Sequence, residues 1–531
     1  MNNMVYTIKL TVLTTLVLLT AALFQNLRAQ SSRLLTETNP DSAMYEALQT
    51  IPGEQLTLEF AIELALREAT TIGEARADLQ AAFGAVKREK GQFDPELFLE
   101  GARTEEDVPS ASPFAGADVV QTKETAALGG AKIKLSVGTE IEAFLGATRF
   151  ETNSSFAAVN PQYSADGIVS IRQPLLAGFG ATARRDLTVA ERNLAASQAF
   201  YNDIVLRVKA NVEVVYWDLF TAERNYAVQK LIKDQAEAFV KETETRARTG
   251  LVGPNQVANA KVFLAEQEFS LIDIEEELDR RSDQLASLLG KRPSDFPRFR
   301  TADSPKLDFP VEPVESLVEN ALRENYQIQA LRHQIGAIQA LAKAAKWDVL
   351  PSLDFIGTLG GRGLSGNGRD IIFGSDTLRT SFSGGMGDAL NQVWSGDFPN
   401  WSVGFNLSIP IGFRADRGEH ERLVAEINRS EQIYISAKRT LEEQIRASHR
   451  ALANGLRRLK AAQDGVAASE EQVRIGIIDF RNGRTTAFEL VRLGADLASA
   501  EERYSVALVR NAKAAALLHQ LTSGRYPPTN Q

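Results

Sequence analysis

The sequence has 531 residues, of which 44% are apolar, 24% charged and 8% aromatic. That is length for two to four ordinary domains and enough apolar material to fold, which excludes a disordered or collagen-like chain. A formal charge of −9 excludes a basic nucleic-acid binder, and the absence of cysteine excludes disulfides, zinc–thiolate sites, iron–sulfur clusters and thiol catalysis. The four histidines, His333, His420, His449 and His519, are far apart and form no metal-binding pattern.

At the N-terminus, Lys9 precedes an uncharged stretch over 10–27, apolar through 10–24, with the small residue Ala29 beyond it. A basic start, an apolar run of roughly 15 residues and a small residue read as a secretory signal peptide over 1–29. A membrane-spanning helix would want about 20 apolar residues. No later window approaches one, so an exported chain of this kind is periplasmic, secreted or an outer-membrane β-barrel. Residues 30–55 read as an N-terminal extension.

The remainder repeats itself. Ala65-Leu66-Arg67-Glu68, followed by Pro95 and Phe98-Leu99-Glu100-Gly101, recurs 256 residues later as Ala321-Leu322-Arg323-Glu324, Pro351 and Asp354-Phe355-Ile356-Gly357. Gln173-Pro174 with Gly178-Phe179 recurs as Ile409-Pro410 with Gly412-Phe413, and Arg248-Thr249-Gly250 as Arg481-Asn482-Gly483. The element order is the same in both halves, giving a first repeat over 56–290 and a second over 314–524. The intervening 291–313 holds Pro293, Pro297, Pro305, Pro310 and Pro313, which forbid a continuous helix and read as a linker. A tail covers 525–531.

Each repeat reads as helix, β segment, very long helix, turn and returning helix. The first helix is expected over 61–90, after a Thr57 start. The long helix is expected over 183–249, with apolar or small residues at steps of three and four, the seam of a coiled coil. At ~1.5 Å per residue it would reach about 100 Å. The returning helix repeats Val257, Leu264, Leu271, Leu278 and Leu285 at strict sevens. In the second repeat a long helix is expected over 418–481, then Leu490, Leu497 and Tyr504 on the return.

The β segments alternate. Trp401, Val403, Phe405, Leu407 and Ile409 fall on one face, and Ser402, Gly404, Asn406 and Ser408 on the other. Residues 131–147 read as a hairpin with the same alternation, and Leu353, Phe355, Gly357 and Leu359 continue it. Such strands suit a wall with lipid outside and water inside, although a soluble half-buried sheet alternates likewise. Trp394, Phe398 and Trp401 suit an aromatic girdle at a membrane interface. The glycine-rich stretch 360–368 reads as a mobile surface loop.

Gly178-Phe179-Gly180-Ala181-Thr182-Ala183 matches a dinucleotide-binding fingerprint, but some 60 helical residues follow and no second parallel strand does. The glycines read instead as the sharp turn from strand to helix. Paired carboxylates such as Glu275-Glu276-Glu277 lie on a solvated helix face. No catalytic constellation is visible, so the chain reads as no enzyme, without cofactor or metal.

The duplicated pattern resembles the outer-membrane efflux protein family, typified by TolC, over about residues 55–525. The residues that carry it are Leu56-Thr57-Leu58-Glu59-Phe60-Ala61, Gln173-Pro174-Leu175-Leu176-Ala177-Gly178-Phe179-Gly180, and the paired turns Arg248-Thr249-Gly250-Leu251-Val252 and Arg481-Asn482-Gly483-Arg484-Thr485-Thr486. The resemblance implies a mixed fold of two tandem repeats, with a β-barrel in the outer membrane and an α-helical barrel of coiled-coil hairpins in the periplasm. It implies closure as a homotrimer, with outer-membrane lipid, a periplasmic adaptor (membrane fusion protein) and an inner-membrane pump as partners and no nucleic acid. Members usually supply four strands per chain, so the 131–147 hairpin looks like an addition to the wall or to its rim. By position, the adaptor-docking tips fall on Gly250, Leu251 and Val252 and on Gly483, Arg484 and Thr485. The acidic ring at the periplasmic aperture falls on Glu489. A neighbouring acidic position falls on Arg492, which would leave that ring lost or replaced by a Glu489–Arg492 pair between subunits. The implied function is the exit duct of a tripartite small-molecule efflux system. The alternatives are the duct of a type I protein secretion system and, from another class, a periplasmic coiled-coil adaptor or structural protein.

Overall fold

Thr57 opens the first repeat as the sequence suggests: its hydroxyl accepts from the Phe60 N–H at 3.3 Å, capping α2 (Leu58–Glu68). The computed structural model describes residues 40–112, 115–295, 297–306, 308–373 and 376–527. The expected signal peptide over 1–29, the start of the extension and the last four residues of the tail lie outside the described residues. Ahead of α2 come α1 (Pro40–Gln49) and β1 (Glu54–Leu56).

The helix expected over 61–90 is two helices, α2 and α3 (Thr70–Gly91). Ala69 between them is extended, at φ −61° and ψ 130°, while its N–H still bonds to the Ala65 carbonyl. The second repeat breaks at the matching place. Asn325, at φ −60° and ψ 129°, separates α6 (Val314–Glu324) from α7 (Tyr326–Asp348). Neither break carries glycine or proline. Asn325 is buried and donates to the Leu521 carbonyl at 3.0 Å, so a tertiary partner sets this bend.

The long helices follow the expected seams. They are α4 (Arg185–Arg248), its return α5 (Pro254–Leu288), α9 (Arg414–Ala453), α10 (Gly455–Arg481) and the second return α11 (Ala487–Leu521). On α5 the strict-seven positions Leu278 and Leu285 are fully buried, with Ala260 on the companion position. The stretch expected over 418–481 is interrupted at Asn454. Gly455 sits where a Cβ would lie 1.6 Å from Asn511 Oδ1, so the side-chain amide of Asn511 on α11 occupies the space that the glycine leaves.

The chain forms two compact units: residues 40–74, 203–325 and 440–527, and residues 75–202 and 326–439. The second unit holds a six-stranded antiparallel sheet. Its strands are β2 (Glu96–Pro109), β3 (Val119–Lys134), β4 (Glu140–Thr152), β5 (Val159–Pro174), β7 (Ser352–Gly368) and β10 (Pro399–Ser408), in the order β10-β7-β5-β4-β3-β2. The 131–147 hairpin is present, but its first strand begins at Val119 and both strands lie inside the sheet. The glycine-rich stretch 360–368, expected as a mobile loop, is the far end of β7. It pairs with β5 on one edge and is covered by α8 (Met386–Ser395). A Cβ on Gly363 would fall 1.9 Å from the Ala389 carbonyl oxygen, and one on Gly361 3.1 Å from that of Val393. These glycines let a helix lie on the strand, which composition alone cannot distinguish from a loop. Two short strands, β8 (Ile371–Phe373) and β9 (Asp376–Leu378), precede α8.

In the first unit, the stretch read as a linker does structural work. After a short 3₁₀ turn (Pro293–Asp295), residues Phe299–Thr301 form β6, which pairs in parallel with β1. Phe299 is buried in the core with Val212, Tyr216, Leu219, Leu285 and Leu289. The Tyr216 hydroxyl donates to the Leu56 carbonyl at 2.8 Å and accepts from the N–H groups of Ala302 and Asp303 at 3.0 and 3.1 Å. Glu223 accepts from the Thr301 N–H at 2.7 Å and the Thr301 hydroxyl at 2.5 Å. Prolines exclude helix here, but a buried extended strap still needs partners for its backbone, and α4 supplies them.

Glu223 is 5% exposed, and burial pushes its carboxyl up from 4.5 to about 7, against the two bonds from Thr301. The folded state therefore holds a proton that the unfolded chain has released. This stabilising term is full below 4.5 and is lost as pH rises through about 7. Denaturant unfolding at pH 5 and pH 8 is expected to show a smaller difference in midpoint for Glu223→Gln than for the wild type. An unchanged difference would assign the pH dependence elsewhere.

Candidate functional site

Two places carry the residues singled out from the sequence: the pair of helix turns in the first unit and the sheet in the second. At the first turn, Gly250 has φ +75°, its N–H bonds to the Ala247 carbonyl at 3.0 Å, and the Leu251 N–H reaches back to the Arg246 carbonyl at 2.9 Å. At the second, Gly483 has φ +71°, with Gly483 N–H to Phe480 O at 3.0 Å and Arg484 N–H to Asp479 O at 2.8 Å. Both are the same glycine-terminated reversal, in which a left-handed residue satisfies the last carbonyls of a helix. Gly253 and Pro254 then start α5, and the Thr486 hydroxyl caps α11.

The residues at the bends project outward. Leu251 is 76% exposed and the Arg484 side chain 75%, while Val252 and Thr485 are half-buried. Behind them the two turns are tied together by contacts that the sequence did not reveal. Phe239 of α4 meets Phe480 of α10 edge-on at 5.2 Å, within a cluster that includes Val240 and Ala260. The Arg246 guanidinium lies over the Phe480 ring at 4.9 Å and bonds to Glu242 at 2.7 Å. No spacing rule pairs residues 234 positions apart (Arg246 and Phe480). The only hint was that both immediately precede the repeated turn.

Glu489 and Arg492 lie together. Arg492 Nη2 is 2.5 Å from Glu489 Oε1, an ion pair within one chain, three residues apart on α11. The Glu489 N–H donates to the Thr486 hydroxyl at 3.3 Å. Glu489 thus stands in the first turn of α11, where a carboxylate also meets the positive end of the helix dipole. Its side chain remains 38% exposed and that of Arg492 61%.

The sheet has two unlike faces. Reading across the register, Leu97, Ala131, Ala143, Val169, Leu359 and Trp401 form one row on the apolar face. On the other face, Arg172 bridges Asp354 at 2.8 Å and Glu140 at 3.2 Å, Lys132 meets Glu96 at 3.2 Å, and Arg362 meets Asp166 at 3.4 Å. One row of this face, with Phe98, Phe144 and Ile168, is apolar. Trp394, in the last turn of α8, is 91% exposed; Phe398, just before β10, and Trp401, within it, are also exposed. The helix itself is bound to the apolar face: Ser365 donates to the Gly385 carbonyl at 2.6 Å, and the Leu364 N–H to Gln392 Oε1 at 2.8 Å.

The rejected cofactor motif is a turn. Gly178 and Gly180 have φ of +88° and +58°, and α4 begins at Arg185. Among the described residues no group of three or more His, Asp or Glu could hold a metal ion, and no helix is long and apolar enough to cross a membrane. Two shallow grooves, of about 350 and 370 Å³, lie along the helices of the second unit. Ile335, Ile338, Leu341, Ile433 and Ile435 dominate their lining, which suits helix packing.

A family model described as outer membrane efflux protein matches residues 61–291 and 317–524. No curated protein matches the sequence. Among solved structures, the chain resembles the CmeC outer membrane channel of Campylobacter jejuni, at TM-score 0.64 and 14% identity, over 89% of this chain and 87% of that one. It resembles the outer membrane protein VceC of Vibrio cholerae, at TM-score 0.61 and 16% identity, over 88% and 96%. The MtrE outer membrane channel of Neisseria gonorrhoeae, in its open state, aligns at TM-score 0.59 and 15% identity, over 89% and 90%.

Replacing Gly250 or Gly483 by alanine forces a Cβ into the left-handed region and is expected to cost about 1 kcal/mol of stability. Phe480→Ala removes the ring that joins the two turns and is expected to cost about 3 kcal/mol. Thermal unfolding would check both; a larger loss for either glycine than for Phe480 would contradict this ordering.

Proposed function

This chain belongs to the outer membrane efflux protein family, and on that premise we propose that three copies assemble into one passive exit duct. It would accept small molecules from a periplasmic adaptor and an inner-membrane pump and perform no chemistry of its own. The protein is placed in the outer membrane, extending into the periplasm. The observation that carries the reading is the two-faced sheet with both edges open. Leu97 and Leu99 on β2, at 82% and 85% exposure, and Trp401 and Phe405 on β10, at 74% and 67%, are largely uncovered among the described residues of one copy. Lipid accounts for that face, and a water-filled lumen accounts for the ion-paired face opposite. Trp394, Phe398 and Trp401 would mark the outer interface of the membrane, where aromatic rings settle between hydrocarbon and water.

The turns at Gly250-Leu251-Val252 and Gly483-Arg484-Thr485 would dock the adaptor, and Glu489 with Arg492 would line the periplasmic aperture. An aperture built on an ion pair responds in opposite directions to loss of either member. Glu489→Ala leaves a ring of unpaired arginines and is expected to raise anion preference and abolish divalent-cation block in planar bilayers. Arg492→Ala leaves unpaired carboxylates and is expected to raise cation preference and strengthen that block. Unchanged selectivity in both variants would confine the pair to capping α11. For docking, Leu251→Glu is expected to weaken crosslinking to the adaptor several-fold while the trimer stays intact. Normal crosslinking would remove the turns from the docking surface.

A further inference from the structure

Taking the trimeric duct as its basis, we propose that β3 and β4 are an inserted hairpin that widens the membrane wall, so that each copy supplies six strands and a closed ring of three holds eighteen. The internal repeat identifies the insertion. The start of β2 and the start of β7 are 256 residues apart, and Pro174, which ends β5, and Pro410, just past β10, are 236 apart. Hence β2 corresponds to β7, and β5 to β10. Between β7 and β10 the second repeat has, among the described residues, the three-residue strands β8 and β9 and the helix α8. Between β2 and β5 the first repeat has β3 and β4, of 16 and 13 residues.

Four observations put the hairpin in the wall rather than on its rim. Among the described residues β2 pairs with β3 alone, from Glu96 opposite Lys132 to Pro109 opposite Val119, and β3 pairs in turn with β4. A wall that includes β2 therefore includes the hairpin. Both strands exceed the ~9–11 residues that a tilted strand needs to cross a bilayer. The hairpin also carries its own share of the apolar band: Ala127, Gly129 and Ala131 on β3 face the same way as Ala143, Leu145 and Ala147 on β4. Charge resumes beyond them on the same face, at Lys123 and Arg149, just as it does at Arg103 on β2. Finally, the turn at 135–139 is seated against the turn that leads from β5 to α4. The Gly180 N–H bonds to the Val137 carbonyl at 3.2 Å, and a Cβ on Gly138 (φ +97°) would lie 2.7 Å from the Gly178 carbonyl oxygen.

The occupant of the free edges is a second copy of this chain. Six antiparallel strands put β2 and β10 in opposite directions, so β2 of one copy and β10 of the next can continue the ladder antiparallel. Barrel diameter grows roughly in proportion to strand number, so eighteen strands give a bore about half again as wide as the twelve left without the hairpin.

The chain has no cysteine, so single cysteines report cleanly in the full-length protein reconstituted into liposomes. Glu142→Cys, on the ion-paired face of β4, is expected to react with a membrane-impermeant maleimide added to the water. Ala143→Cys and Ala147→Cys, on the apolar face, are expected to resist it. A fluorophore attached to them in denaturant before refolding should lose at least half its emission to a quencher carried on the lipid chains. Val403→Cys on β10 is the control for the duct itself. Quenching at Val403 with equal aqueous reactivity at 142, 143 and 147 would overturn the insertion and leave the duct standing. Absence of quenching at 143, 147 and 403 alike would overturn the duct. Should Ala143→Cys fail to fold, Ala147→Cys answers the same question.

Discussion

With the sheet set in the outer membrane as proposed, an open sheet edge in hydrocarbon is the constraint from which the rest follows. Each unpaired backbone N–H or C=O away from water costs several kcal/mol, and β2 and β10 each present a row of them. Six strands are too few to bend round and meet, since about eight make the smallest barrel. On the proposed reading, other copies of the same sheet would complete it. The same need accounts for the opposite polarity of its two outer strands and for its exposed apolar face. A sheet built to be half-buried in a soluble domain would have a layer packed across that face. Here α8 covers the far ends of β5 and β7, where Gly167, Gly361 and Gly363 leave room for its backbone and side chains.

The helices of the first unit show the same incompleteness in another form. Small residues such as Ala210, Ala222 and Ala227 on α4 and Ala512, Ala515 and Ala516 on α11 are buried, which lets backbones come close. Yet Phe269 and Ile272 on α5 remain 68% and 57% exposed. A helix hairpin can hide one apolar stripe; a second stripe needs a neighbour. In the proposed trimer, ring closure by identical copies would supply that neighbour without any new surface, because each copy's outer stripe would meet the next copy's.

The two turns illustrate how duplication distributes work. Their backbones are equivalent, with glycine in the left-handed region closing the last carbonyls in each case. Their side chains differ: the first offers Leu251, and the second offers Arg484 with Glu489 and Arg492 on the helix beyond. A shared frame with unlike residues suits two distinct contacts on one partner. The joint between them is Arg246 over Phe480 beside Phe239.

Much of this was readable from the chain itself because it depends on local periodicity. The seam of α4, the strict sevens of α5, the alternation along β10, the glycine turns and the duplicated order are all set by short-range rules of helix, strand and turn. So was the family resemblance, which the family model bears out over most of the chain. Only tertiary structure decided what depends on partners distant in sequence. Ala69 and Asn325 bend without glycine or proline, the proline-rich strap becomes a strand because Tyr216 and Glu223 receive its backbone, and the glycines of β7 serve a helix laid across them. The hairpin's place inside the sheet belongs to the same class. Alternation marks β3 and β4 as strands, but which strand lies beside which is a matter of long-range pairing, and a single sequence carries no record of that.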